Sequence, residues 1–401
     1  MATTLTDVSL ATRAPSNALT TRWDALDVLR GLTIILMLLN LGPGSWEFNY
    51  AFLEHAKWEG GALIDMVAPA FLFCIGVAMP LSFARRASRG ASRGDLLRHV
   101  LWRGLLLVAI GLFLNVYPKF ELATARIPGV LQRIGVCYAL AGAFMIATAR
   151  VDASQRLVLR VQPLVIASLV ILLSYWALLY FVPVPGFGAP RFDPVGSWPS
   201  VIDRAVIGTE HFFQQWTVDG KVVFDPEGLL STWPACFNIL FGALVGIAFA
   251  RSTFTRPALS AVLIGAAMML LALGTRSVDP IIKNIWTSSF ALFSCGFALA
   301  ILGLLMPLTQ QPGVSTLFAP ARIFGENPLL AYILCFLIAP LIDANWFGDA
   351  TAPRSLRAAG QAFFEQWVSP PAASLLFGIC GILFLYAVLL VCHRRRWILK
   401  L

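Results

Sequence analysis

LDVLRGLTIILMLLNLGPGSWEFNYAFLEHAKWEGGALIDMVAPAFLFCIGVAMPLSFA, residues 26–84, is two apolar runs joined by a polar, aromatic connection. Each run is close to the ~20 residues that an α-helix needs to cross a bilayer core of about 30 Å. Further apolar runs follow at about 100–117, 128–149, 161–183, 229–250, 257–274, 284–307, 323–344 and 371–392. With 26–43 and 61–84 they predict an all-α polytopic membrane protein of about ten transmembrane helices. The connections at about 44–60, 184–228 and 345–370 would form an irregular cap on one face. The VPVPGFGAPRFDPVGSWP stretch in the second predicts turns and extended pieces rather than a separate core.

Composition excludes a soluble chain. Of 401 residues, 58% are hydrophobic and 13% charged, against about 25% charged in a soluble domain, and the mean hydropathy is +0.76. A net charge of +9 would suggest nucleic acid in a soluble protein; here its distribution sets topology, and no nucleic-acid partner is expected. The seven cysteines fall one per apolar run or at its edge, with no CxxC pair. They read as small core residues rather than disulfides or a zinc site, so no metal is expected. The first 25 residues are polar and predict a tail with no removable signal peptide.

Arginine clusters fix the expected orientation. RRASRGASRGDLLRH (85–99) and the tail HRRRWILK (393–400), with Arg13, Arg22, Arg150, Arg156, Arg160, Arg251, Arg256 and Arg322, fall on the side of both termini. The opposite connections are longer in total and poorer in Lys and Arg, so the termini are expected in the cytoplasm. One membrane domain, 26–392, is expected between an N-terminal tail (1–25) and a basic tail (393–401).

Polar residues inside such a scaffold are costly and call for a reason. In the connection at 40–65, His55 lies just outside a span with acids and tryptophans beside it. With Asn40 ending the preceding helix, it reads as a base placed for a substrate. Asp27 and Arg30 share a helix face, as an anchoring ion pair or a binding pair. Asp65 opens the second span, Gln132 and Arg133 the fourth, Lys283 and Asn284 the eighth, and Glu326 and Asn327 the ninth. Singly, each is a helix cap or interfacial anchor; together they point to a polar cavity. His211 and Asp225–Gly228 (DPEG) lie in the large outer connection, as a solvated histidine and a tight turn or as site residues. His99 and His393 read as surface residues. Trp46, Trp58, Trp198, Trp216 and Trp233 read as an interfacial belt or as sugar-stacking rings. No Walker loop, GxSxG, HExxH or GxGxxG sequence occurs, which argues against a pump, serine hydrolase, zincin or dinucleotide enzyme.

RWDALDVLRGLTIILMLLNLGPGSW, EHAKWEG, LIDMVAPAFLFCIG, RIPGVLQRIGVCY, IDRAVIG, FDPEGLLST, IKNIWTSSF and GENPLLAY resemble, in order, segments of the heparan-α-glucosaminide N-acetyltransferase family. The resemblance covers about residues 22–340. It implies a transmembrane acyltransferase that takes acetyl from cytosolic acetyl-CoA and delivers it to a sugar amine across the membrane. It also implies a bacterial inner-membrane protein with His55 facing the periplasm, and a homodimer as an assembly to expect. On the family motifs, the active histidine falls on His55 and its partner asparagine on Asn40. Asp27, Arg30 and Gly31 match the first-helix motif, Gln132, Arg133 and Gly135 the RIPGVLQR block, and Glu227 the DPEG block. The expected mechanism docks the nucleotide end near Arg30, Arg103 and Asn327. His55 then acts as general base or as transient acyl carrier, while Asn40 orients the ring or donates to the oxyanion, assisted by Arg133 or Asn284. The competing reading is a secondary transporter or flippase for a sugar or glycan using the same polar cavity.

Overall fold

The computed structural model describes residues 17–151, 157–188, 191–348 and 354–399. Of the charges used above, Arg13, Arg156 and Lys400 lie outside the described residues, as does most of the expected N-terminal tail. The helices are α1 (Asn17–Leu41), α2 (Val67–Ala87), α3 (Arg93–Val116), α4 (Val130–Thr148), α5 (Val161–Phe181), α6 (Trp198–Val206), α7 (Thr232–Ala250), α8 (Pro257–Gly274), α9 (Ser288–Leu308), α10 (Val314–Leu317), α11 (Ala319–Glu326), α12 (Pro328–Asp343), α13 (Leu356–Phe364) and α14 (Pro370–Arg394). Strands are confined to two short antiparallel ribbons, β1 (Arg150–Val151) with β2 (Leu157–Val158) and β3 (Thr217–Val218) with β4 (Lys221–Val222). The second turns through Asp219 and Gly220, both at positive φ, the geometry of a two-residue hairpin loop.

Local chemistry sets the ends of the helices. Ser92 starts α3: its Oγ accepts the Asp95 N–H at 3.1 Å while Asp95 Oδ2 accepts the Ser92 N–H at 3.1 Å, a reciprocal cap of two otherwise unpaired donors. α14 opens on Pro370, where a missing N–H costs nothing, and closes on His393 and Arg394, cations suited to the negative end of the helix dipole.

Eight of these helices (α2 with its leading turn, α3, α4, α5, α7, α8, α9 and α14) are long and apolar enough to cross a membrane. The expected span at 323–344 is corrected. It is two helices, α11 and α12, bent by 84°, because Pro328 cannot continue an N–H ladder and drives the residue before it out of the α region. Asn327 accordingly sits at φ −127° and ψ 50°. α1 does not join the set, since it carries Asp24, Asp27 and Arg30 in its first half. Lys283 and Asn284 precede α9 rather than opening it. The connection at 184–228 also contains α6, a regular helix that its proline-rich sequence does not announce. Cys74, Cys137, Cys236 and Cys295 are buried as expected, but Cys380 is exposed.

The chain divides into two compact units. One holds Trp58–Gly60 and Ala68–Leu304. Within it α3 packs along α4, and α4 and α5 pack on α7. The α3–α4 crossing is close because of two glycines. A Cβ on Gly104 would come within 2.8 Å of the Gly135 carbonyl oxygen, and one on Gly135 within 2.6 Å of that of Gly104, the small-residue contact of membrane helix pairs. Tyr175, Leu179, Ile282 and Ile285 form a buried cluster, flanked by Trp58, Phe192, Trp198 and Leu230. Trp58 is part of this packing, its indole N–H donating to the Phe192 carbonyl at 2.8 Å.

The other unit holds Trp23–Lys57, Gly61–Val67 and Leu305–Leu401, with α11, α12 and α13 packed on α14. α1 and α11 approach backbone to backbone. A Cβ on Gly31 would lie 1.7 Å from the Ala321 carbonyl oxygen, and one on Gly325 2.1 Å from that of Asp27. Gly325→Val is therefore expected to destabilise the protein by at least about 1–3 kcal/mol through overpacking. Gly274→Ala, where nothing lies within 4 Å, is the control. Melting of the detergent-solubilised protein measures both, and equal midpoints would contradict the close contact.

Candidate acid–base site

Asp65 sits in the 3-10 turn Leu63–Met66 that leads into α2. Its side chain is 0% exposed and collects three donors. Oδ1 lies 2.7 Å from Nδ1 of His55. Oδ2 accepts the Ala56 N–H at 3.0 Å and the Ala62 N–H at 2.9 Å. One buried carboxylate thus closes the 56–62 loop and clamps the histidine ring. A carboxylate only accepts, so Nδ1 carries the proton and the basic lone pair of the ring falls on Nε2. The His55 side chain is 33% exposed, so a buried acid orients a half-open base. The same division of labour lets a buried aspartate fix the tautomer of a catalytic histidine in hydrolases.

Asn40, one residue before the end of α1, donates Nδ2–H to the Leu53 carbonyl at 2.8 Å. The amide pins the short turn Ala51–Leu53 immediately upstream of His55. It positions the segment that carries the ring, and Asp65 positions the ring itself.

The remaining expected residues divide between the two units. Beside His55, Asn40 and Asp65, the smaller unit contains Asp27, Arg30 and Asn327. Arg30 Nη2 pairs with Asp27 Oδ1 at 2.7 Å and its Nε donates to the Gly325 carbonyl at 2.6 Å. Asn327 spends its amide on the tail, donating to the Trp397 carbonyl and accepting the Leu399 N–H, both at 2.9 Å. His393 is exposed, as expected of a surface residue, and lies 2.7 Å from Glu326 Oε2.

The larger unit contains Arg103, Gln132, Arg133, His211, Glu227, Lys283 and Asn284. Arg126 is the hub. Its Nε and Nη2 grip the two oxygens of Asp225 at 2.8 and 2.7 Å, and Nη2 also donates to Glu227. The carboxyl of Glu227 is held below the usual carboxylate range by the charges of Arg126, Arg133 and Lys283, which outweigh its burial. Arg133 donates to the Pro226 carbonyl at 2.9 Å and stacks over Trp286 at 4.7 Å. Gln132 donates to the Ile127 carbonyl at 3.2 Å, and Asn284 is buried. His211 is not a solvated loop residue, since its Nδ1 donates to the Ala125 carbonyl at 2.7 Å. Arg103 lies over the Tyr138 ring at 5.0 Å. His99 is half-buried with its Nε2 enclosed, against the expectation of a surface residue.

Asp203, on α6, accepts the Leu229 N–H at 2.9 Å, and burial pushes its carboxyl up from 3.8 to about 6. Between those values the folded protein holds a proton that the unfolded chain has lost, so this stabilisation is complete below about 4 and vanishes as the pH rises through 6. Asp203→Asn should flatten the pH dependence of the melting midpoint across that window; an unchanged slope would count against it.

Eight long apolar helices and a histidine held by a buried carboxylate define the class: a multi-pass helical membrane protein with a built acid–base pair. Residues 22–202 match the family model described as heparan-alpha-glucosaminide N-acetyltransferase, catalytic. The human heparan-alpha-glucosaminide N-acetyltransferase is 30% identical over 361 residues, covering 79% of this chain and 53% of that protein. The mouse protein is 29% identical over 352 residues, covering 78% and 53%. The resemblance carried by the motifs therefore stands, and this protein is a relative of the heparan-alpha-glucosaminide N-acetyltransferases. The chain spans about half the length of the curated relatives it matches.

Proposed function

We propose that the protein is a membrane-embedded acetyltransferase that moves acetyl from acetyl-CoA to the amine of an amino sugar or glycan, with His55 as general base. The observation that carries this reading is the 2.7 Å contact between His55 Nδ1 and a fully buried Asp65. Such an arrangement is costly to build and fixes the ring in the orientation and tautomer that a general base needs. In the proposed step the acceptor nitrogen attacks the thioester carbonyl, forming the C–N bond as its proton passes to Nε2. The C–S bond then breaks, and the proton returns from the imidazolium to the departing CoA thiolate. Attack by Nε2 itself, to give an acetyl-imidazole, uses the same lone pair. A burst of CoA release without acceptor would mark that two-step route.

The proposed setting is a bacterial inner membrane. With α1 and the α11–α12 pair counted as crossings, both termini fall on the cytoplasmic side with the arginine-rich α2–α3 turn, and His55 faces the periplasm. Incubating the purified protein with labelled acetyl-CoA and a panel of amino sugars tests the proposal. Label appearing on a sugar amine supports it, and no transfer to any acceptor, with no stabilisation by CoA, overturns it.

A further inference from the structure

Apart from the acid–base site, the turn between α2 and α3 forms a second feature with the makings of a binding site. A groove of about 620 Å³ is lined by Arg86, Asp95, Arg98, His99 and Trp102. Arg86 is in the last turn of α2. The other four recur at i, i+3, i+4 and i+7 and so line one face of the start of α3. Two guanidiniums face one carboxylate, and that carboxylate is engaged: Asp95 Oδ2 accepts from Ser92 N and Oγ at 3.1 and 2.8 Å. Arg98 reaches Asp95 only at 3.3 Å and is 82% exposed. Nε2 of His99 is enclosed with no hydrogen-bond partner among the described residues, so it is sealed from the groove and the ring contributes its apolar face to the wall. The groove thus has largely apolar walls, with the guanidiniums of Arg86 and Arg98 among the residues that line it. Leu101, Trp102 and Leu105 continue from it along α3, 48%, 58% and 57% exposed, near the start of a helix long and apolar enough to cross a membrane.

We propose that this groove binds the phosphate headgroup of an anionic phospholipid, with an acyl chain laid along Leu101, Trp102 and Leu105. The guanidiniums hold the phosphodiester oxygens, as arginine forks do. A soluble phosphate would satisfy the basic end but gain nothing from the apolar run beside it. The structure therefore favours the lipid as source.

Native mass spectrometry of the full chain, released from nanodiscs of mixed phosphatidylglycerol and phosphatidylcholine, tests the site. Wild type should retain phosphatidylglycerol in preference. Arg86→Gln/Arg98→Gln should lose that preference about thirtyfold, at about fivefold per basic side chain, and Trp102→Ala should shorten lipid retention. Arg85→Gln/Arg89→Gln removes the same charge from the same turn outside the groove and should leave the preference within about twofold. An equal loss in both double variants would reduce the effect to non-specific attraction and overturn the proposal. Displacement of the lipid by millimolar inorganic phosphate, or by CoA, would assign the groove to a soluble phosphate and overturn it as well.

Discussion

Asp65→Asn is expected to lower kcat for acetyl transfer by about 10²–10⁴ while leaving the fold and the KM for acceptor nearly unchanged. The reason lies in the donors around the carboxylate. An asparagine at this position has two orientations. With its oxygen toward His55, its NH₂ group would face the Ala56 and Ala62 N–H groups, donor against donor. With its oxygen toward those two backbone groups every hydrogen bond is satisfied, but the NH₂ then points at Nδ1 of His55. The second orientation wins, because each unsatisfied buried donor costs about 1–3 kcal/mol. It forces the lone pair onto Nδ1 and the proton onto Nε2, the wrong tautomer for a base. His55→Ala should match it in rate, since both remove the same proton acceptor. Asp65→Ala should differ from both by also loosening the 56–62 loop, visible as a lowered melting midpoint. Steady-state kinetics on the three variants, with melting curves, separates the roles. An Asp65→Asn enzyme with wild-type kcat would sink both the base and the acyl-carrier assignments of Nε2, since both use the lone pair that the substitution removes.

Much of this was legible in the chain, for reasons that differ from element to element. Apolar runs near 20 residues announce spans wherever the residues are apolar throughout, as in α5 and α9. At 323–344 apolar character continues through Asn327–Pro328 but the helix does not, so the run becomes a bent pair. Proline before a long run was the available signal. His55 was singled out because it is the lone histidine between acids and tryptophans at a span end. Its partner was seen only as a neighbour: Asp65 is ten residues away, and the Gly60–Gly61 pair that lets the loop fold back, with Gly60 at φ 95°, does not by itself name which side chains meet. Asn327 and Arg30 make tertiary contacts that sequence spacing cannot show, at separations of 70 and 295 residues. Arg126 was missed because nothing local distinguishes it. A cation in RIPG and two acids in DPEG, each unexplained alone, were complementary charges in search of one another.

Arg126→Met is expected to cost about 3–5 kcal/mol of stability at neutral pH, as removal of one partner from a buried ion pair does. Asp225 is fully buried and Glu227 nearly so, and the arginine is the cation that both carboxylates share. Its fork matches the two oxygens of Asp225, which also accept the Phe213 N–H at 2.8 Å and the Glu227 N–H at 2.9 Å. Methionine fills the volume and covers the Phe213 ring, over which the guanidinium lies at 4.6 Å, so the loss is electrostatic rather than a cavity. Lysine keeps the charge but not the fork and should lose less. The pH dependence gives the assignment its sign. In the wild type, Glu227 is depressed below its ordinary 4.5, so it contributes stability above that value which is lost as the pH falls through the depressed one. In Arg126→Met two neighbouring carboxylates lose their shared cation, and protonating one relieves the repulsion. The gap between variant and wild type should therefore narrow as the pH falls from 7 toward 4. Melting midpoints across that range decide it: a gap that stays constant, or an Arg126→Met protein within about 1 kcal/mol of wild type, would show that the network is a solvated surface cluster. A gap that narrows would identify it as the lock that fixes DPEG beneath Arg133 and Trp286, so that any role of Glu227 toward an acceptor must be exercised through a carboxylate already held in place.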